Sequence, residues 1–367
     1  MTDTEHLTVC GLTLDVRSPL HIGSGNVCAK TEYIFDPRSE TVRMIDPEAL
    51  FRWLYTRRLA DRYERFVLSG NNRMFQFLKE CGVTDRELDS LCRYSVSAAD
   101  ALDDSHSLKE LHTLVRDAGQ RVYVPGSSVK GALRTVILAS LIAREKKGAW
   151  PDAPKKFERA RQMATLEGRY LNTASLKRDR NGNTVNDPVN SVLRGLSVSD
   201  SAPAPDAAII LSGKIDADEK GEYRKINLCR ECIRPGTKLH FKLTLDHSVL
   251  PAEFSPEGLL RMVQEFDRFY QTTYLSRFTP PSNARAVSYE NALIFGGGSG
   301  FFSKSLAYPY LGTREGMQYT QRVMEEQFRR HGHDKDVSEH RVSPHTMKYG
   351  MYQGQLYPYG VCGVLLT

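Results

Sequence analysis

The stretch VYVPGSSVKGALRT, residues 122–135, carries the reading of the fold. Its first half is a short extended segment ending in Pro-Gly. Its second half opens a helix with two serines, a lysine and a glycine. From Val129 the apolar residues fall at 129, 132, 133, 136, 137 and 141, which is one helical face. Lys130 and Arg134 are four apart and share another face. Glycine inside a helix costs roughly 1 kcal/mol relative to alanine, so Gly131 needs a reason. A helix start with open N–H donors, the hydroxyls of Ser127 and Ser128 and a lysine suits a phosphate. Gly126 and Gly131 would then remove the Cβ atoms that hold a sugar-phosphate chain away. A plain turn followed by a core helix with exposed basic residues fits the same pattern, and both readings stand at this point.

Outward from this helix, strand and helix signals alternate. LTVCGLTLDVRSPL (7–20) predicts a strand with one buried face, and its alternation slips at Gly11, which predicts a bulge. HIGSG (21–25) reads as a small flexible loop. Asp46-Pro47 predicts a helix running to residue 68, and residues 71–118 read as further helices. The segments 192–201, 206–215 and 236–246 read as strands. Residues 255–275 predict a helix with Ser255 as N-cap and Pro256 at its first position. ALIFGGGSGFFSKS reads as a strand entering a glycine loop, residues 314–331 as a helix, and YPYGVCGVLL as a final strand. This order predicts an α+β protein of two ferredoxin-like βαββαβ units. The first spans 1–205, with a helical insertion at 51–120 and a basic one at 144–190. The second spans 206–367.

The 367 residues are 40% hydrophobic and 26% charged, an ordinary soluble composition. The longest apolar run, TVILASLIA (135–143), is far short of a membrane span. The N-terminus MTDTEHLTVC lacks a basic and an apolar signal region. Seven scattered cysteines, an odd number, read as reduced thiols, so the expected location is cytoplasmic and away from membranes. Residues 144–180 hold eleven Lys/Arg against five Asp/Glu, a local +6 that equals the net charge of the whole chain. A solvated, poorly periodic insertion and a polyanion contact both fit that segment.

Two more glycine segments accompany the opening helix. HIGSG supplies His21, Gly23, Ser24 and Gly25. FGGGSGFFSKS (295–305) supplies Gly297, Gly298 and Lys304. Neither contains the G-K-[ST] of a P-loop, and the dinucleotide G-x-G-x-x-G fails at Ser303. Glycine loops with Ser, His and Lys fit a backbone track for single-stranded nucleic acid. The aromatic RNP1 pattern is absent, so base stacking on the sheet face is not supported.

VPGSSVKGALRT resembles the glycine-rich helix start of the CRISPR-associated RAMP proteins, and SPLHIGSG resembles the end of their first strand. LRGLSVSDS (193–201), CRECIRPGTKLHFKLTL (229–245), FGGGSGFFSKS and the tail HTMKYGMYQGQLYPYGVCGVLL are similar to the subunit family that caps the crRNA 3′ end in type III-A CRISPR (Csm) complexes. The tail has Tyr-Gly-Val-Cys where the family pattern has Gly-Trp. The resemblance implies two RAMP domains, crRNA and adjacent backbone subunits as partners, a role in crRNA maturation and no catalytic site in this subunit. It assigns Gly126, Ser127, Ser128, Lys130, Gly131 and Arg134 to the glycine-rich motif, and His21, Gly23, Ser24 and Gly25 to the first loop.

Two other functions compete. His21 beside RNA could act as general acid/base in a metal-independent RAMP endoribonuclease, although no partnered base or oxyanion donor is legible. A protein-only adaptor could recruit host nucleases. No cofactor and no metal are expected. Cys229 and Cys232 form a lone CREC and read as two strand residues. HGHDKDVSEH, with His331, His333, His340, Asp334 and Asp336, and His345 beyond it, could be a metal site or an HD-type remnant, but its charged context reads first as an exposed loop. Asp200 reads as a turn cap.

Overall fold

The computed structural model describes residues 6–70, 73–103, 108, 110–145 and 156–367. The first strand, Leu7–Val16, turns Leu12, Leu14 and Val16 into the core, as its alternation requires. It lies mid-sheet, antiparallel to Lys238–Asp246 on one side and Val361–Leu366 on the other. Leu196–Val198 and Ala292–Ile294 complete a five-stranded sheet. Helices Gly126–Ala143 and Pro256–Thr273 pack on each other and share the main apolar cluster with this sheet. Strand, helix, strand, strand, helix, strand, with the first and third strands central, is one ferredoxin-like path. The expected division into 1–205 and 206–367 runs through both large sheets, which each take strands from either side.

The second sheet has six strands, in the order Gln355–Pro358, Thr346–Tyr352, Ile209–Asp218, Tyr223–Ile233, Glu110–Leu114 and Gly23–Cys28. A three-stranded sheet, Tyr33–Asp36, Thr41–Ile45 and Cys92–Ser97, packs beside it. Four helices between residues 47 and 90 close a separate apolar cluster around Leu54, Phe66, Phe77 and Leu78.

Local chemistry explains the elements. Ser255 accepts the Gly258 amide and Pro256 opens its helix, as read. Asp46 caps the next predicted helix through the Glu48 and Ala49 amides. That helix does not run on to residue 68: it breaks at Arg58, whose φ of 58° is left-handed, into Pro47–Thr56 and Ala60–Leu68. Residues 92–97 and 110–114 are strands, not helix. Cys92–Ser97 alternates buried and exposed positions, the period-two pattern that overrides its polar composition. Gly11 is not a bulge; it pairs in register with Lys242, and a Cβ there would lie 2.6 Å from Thr367 Oγ1. HIGSG is not a flexible loop: Leu20 pairs with Ile233, and Gly23 begins a strand.

Part of the basic segment, 146–155, lies outside the described residues. The rest of it opens with the ordered helix Lys156–Leu171, whose Leu166 and Leu171 join the main core with Met163 and Tyr170 against it. Its apolar spacing is helical but sparse among charges, which is why it reads as aperiodic. Helix Gly126–Ala143 is long and apolar enough to cross a membrane by length and composition, and half of it is buried inside the protein as a core helix. All seven cysteines are thiols outside any disulfide.

Candidate functional site

The structure brings two of the three glycine segments together around one side chain. His21 is buried, and its backbone carbonyl accepts the Gly297 amide at 2.7 Å. A Cβ on Gly297 would lie 2.6 Å from His21 Cδ2, and one on Gly23 would lie 2.7 Å from Nε2. These glycines are needed because the ring fills their Cβ space. Gly298, at φ +89°, leaves room for Tyr359 in the same way. Lys304 is exposed, and its ammonium donates to the Gly296 carbonyl at 2.7 Å and ties the loop to itself.

His21 Nδ1 donates to the Glu231 carbonyl at 2.7 Å. Burial drives its pKa down to about 4; the Glu231 contact opposes this, and Arg230 and His112 add to the lowering. The ring is therefore neutral at physiological pH and poorly suited to donate a proton as a general acid. The linkage is testable. Unfolded, the ring titrates at 6.5 and takes up its proton first as pH falls, so stability present above pH 6.5 is lost toward pH 4. A shift of this size corresponds to about 3 kcal/mol. Urea unfolding from pH 6.5 to pH 4 should show that loss in the wild type and a flatter profile in His21→Asn; parallel profiles would place the titration elsewhere.

Arg230, which sequence reasoning passed over in favour of the flanking cysteines, is the unusual residue of this site. Strand pairing sets it between His112 and Ser212 on one face of the six-stranded sheet. Its guanidinium sits over the Tyr359 ring, 5.4 Å from the centroid, and beside Gly297. Its Nη1 is buried without a hydrogen-bond partner. Buried polar groups are nearly always paired, so this nitrogen marks a place where an acceptor belongs. Further along the face, Lys348 pairs with Asp216 at 2.9 Å. Burial lowers the Lys214 pKa; Asp216 opposes this, and Lys348 and Arg230 add to it. The only sequence signal for Arg230 was strand alternation within CREC, with Cys229 and Cys232 buried strand residues as read.

Glu231, next in the strand, points the other way. Its fully buried carboxylate takes the Tyr94 hydroxyl, the Leu114 amide at 2.9 Å and Arg116 at 3.2 Å. This network floors a cleft of about 800 Å³ lined by Ser24, Gly25, Tyr63, Arg93, Tyr94 and Arg116. Ser24 and Gly25 thus face the cleft, while His21 faces the glycine loop.

The opening helix forms a third region. Gly126 has no room for a Cβ, which would strike the Val198 and Ser199 carbonyls. Its amide donates to Asp200 at 2.8 Å, so a carboxylate already occupies this donor of the helix start. Asp200 caps this helix across 74 residues rather than a local turn. Arg134 is paired with Glu167 of helix Lys156–Leu171, inside the basic segment. Lys130 has no ion-pair partner among the described residues, and burial lowers its pKa. Gly131 has open space before it, Ser127 is exposed and Ser128 half-buried. The helix packs against the turn Phe302–Lys304, but no hydrogen bond among the described residues joins its serines or Lys130 to the His21 group.

A ferredoxin-like sheet beside a second sheet, on whose basic face two glycine-rich segments gather, defines a class of protein. Residues 13–308 match the RAMP superfamily, and the chain belongs to it. Among curated relatives it is 27% identical to "CRISPR system Cms protein Csm5" of Streptococcus thermophilus over 309 residues, covering 80% of this chain and 79% of that protein. It is 24% identical to the protein of the same name from Enterococcus italicus, with the same coverage. Among solved structures it resembles a chain of a Csm–crRNA–target RNA ternary complex of a type III-A CRISPR-Cas system. The TM-score is 0.63 at 20% identity, over 97% of this chain and 100% of that one. T. onnurineus Csm5 gives 0.61 at 19%, over 96% and 99%.

Proposed function

We propose that this chain is a crRNA-binding and assembly subunit of a type III-A CRISPR effector, where it caps the crRNA 3′ end and supports crRNA maturation in antiviral defence. It acts in the cytoplasm, without catalysis of its own, alongside the adjacent backbone subunits. The observation that carries the RNA-binding part is Arg230, a cation with a buried unpartnered nitrogen beneath a glycine loop, which suits a phosphate oxygen. The similarity to Csm5 proteins supports the assembly part. The six-stranded sheet serves as the second RAMP unit, its strands exchanged with the first across residue 205.

In this reading RNA runs over the Arg230 face, while the cleft with Tyr63, Tyr94 and Arg93 lies on the other side of that strand and is separate from this track. The test is to assemble the effector with and without this chain and challenge it with a 3′ exonuclease. Protection of a defined 3′ end only with the chain present is the expected result. Cleavage of repeat RNA by the purified chain, abolished by His21→Ala, would replace this reading with the endoribonuclease. A chain that assembles but never touches RNA would be the adaptor that recruits host nucleases.

The helix residues separate cleanly in a second experiment. Lys130→Ala should weaken binding to repeat-derived RNA and reduce the slope of log affinity against log salt by roughly 0.7 if it contacts one phosphate. Arg134→Ala should leave that slope in place and lower thermal stability slightly, because it loses only the Glu167 pair. Equal effects of the two variants on the slope would show that Arg134 leaves Glu167 for RNA.

A further inference from the structure

The HGHDKDVSEH segment is not the exposed loop its charges suggest. Between helix Thr313–Gln327 and strand Thr346–Tyr352 the chain makes two tight turns, with Gly332 and Arg341 in left-handed conformations. These turns bury Asp336 completely and His333 almost completely. His345 Nδ1 lies 2.5 Å from Asp336 Oδ1. His333 Nδ1 lies 3.1 Å from Oδ2 and 3.2 Å from Oδ1. Ser343 Oγ donates to Oδ2 at 2.6 Å. Burial would raise the Asp336 pKa, yet the contacts from His333, His345 and Ser343 hold it below the usual carboxylate value. It is therefore a fully buried carboxylate that two imidazoles and a hydroxyl converge on. A second, half-buried carboxylate lies nearby. His340 stacks on His345 with centroids 4.4 Å apart and holds Glu219 at 2.9 Å, while Glu219 Oε2 is buried without a hydrogen-bond partner. Among the described residues neither carboxylate has an ion pair with a lysine or arginine; their ring partners are histidines, and a buried carboxylate is costly unless it is paired.

We propose that His333, Asp336 and His345 form a zinc site, three protein ligands that leave the fourth tetrahedral position to a water or another donor. One ligand atom from each lies within 4.8 Å of the others. Two ligands on a tetrahedral zinc, at roughly 2.0–2.2 Å from the metal, are about 3.3 Å apart. The His333–Asp336 spacing already fits this, and the His345–Asp336 spacing fits after a sub-ångström shift. Two imidazoles with a carboxylate favour zinc over magnesium or calcium, which prefer all-oxygen sets. The ion would supply the missing charge and pin the turns that lead into the strand carrying Lys348. Asp334, exposed, and His331 are not among the ligands.

The full chain, expressed without a histidine tag, should carry about one zinc per molecule by elemental analysis after dialysis. Removing the metal should lower Tm, and adding zinc back should restore it. His333→Ala/His345→Ala should lose both the metal and the Tm response, while His331→Ala keeps both. Should the double variant fail to fold, the metal-free wild type provides an independent readout. Cobalt(II) should then give visible d–d absorption at one equivalent, displaced by zinc. A wild type that retains no zinc, gains no stability from it and shows no cobalt spectrum overturns the proposal, leaving a carboxylate balanced by histidine protons. Metal retained in the folded double variant would move the site elsewhere.

Discussion

Replacing Arg230 with methionine should lower affinity for repeat-derived RNA roughly 10- to 100-fold, because a hydrogen bond to a charged group contributes about 1.5–3 kcal/mol. The salt dependence should flatten by roughly 0.7 in slope if the guanidinium meets one phosphate of single-stranded RNA. Stability should hold or rise. Methionine keeps an apolar stem against Tyr359, and the variant removes a partly buried cation whose Nη1 has no partner. A loss of binding without loss of fold is the signature of a residue kept for a ligand. Titration by anisotropy at two salt concentrations, beside a thermal melt, measures both. Wild-type affinity at both concentrations would rule Arg230 out of the RNA path. A lowered Tm with unchanged affinity would make it a structural partner of Tyr359.

The second large effect is expected at the neighbouring residue, through the fold. Glu231→Leu leaves Arg116 without its carboxylate, removes the acceptor of the Tyr94 O–H, whose oxygen still accepts from Arg116, and orphans the Leu114 amide. Breaking a buried ion pair from one side costs about 3–5 kcal/mol, and urea unfolding should show a loss of that order. Glu231→Leu combined with Arg116→Met should recover much of it, because the penalty lies in the stranded charge rather than in the pair. A single-variant loss below about 1 kcal/mol would mean that water reaches Arg116 and screens it. This variant should also enlarge or collapse the 800 Å³ cleft, since the network is its floor. Ser24 and Gly25 would then lose their setting while the His21 contact to the Glu231 carbonyl persists.

Residues 122–135 show how far local pattern reaches. The apolar face read from Val129 onward is the buried face: Val129, Leu133, Val136 and Ile137 all enter the core. The purpose assigned to Gly126 was not legible there, because the atoms that exclude its Cβ come from residues 198 and 199. Arg134 could be placed on an outer face, but its Glu167 partner lies on a helix hidden among basic residues. At HGHDKDVSEH the charges pointed to solvent, and only the turns after Gly332 and Arg341 fold Asp336 inward.

By itself the sequence determined what depends on neighbours within a few residues. That covers the strand period of Leu7–Val16, the helix of residues 126–143, the Ser255-Pro256 start and the α+β character. These come from backbone periods of 2.0 and 3.6 and from the needs of helix ends, which a short window contains. Tertiary structure alone decided which strands share a sheet, so that Leu7 pairs with Asp246 and Leu12 with Leu366. It also decided that His21 packs under Gly297, that Asp200 caps a helix 74 residues away, and that Arg230 holds its Nη1 without a hydrogen-bond partner under a loop some 65 residues later in the chain. Strand alternation says which side chains share a face but not which strand lies beside them. That choice is made by burying all the apolar faces at once, and the charges that end up without partners are a product of the same packing.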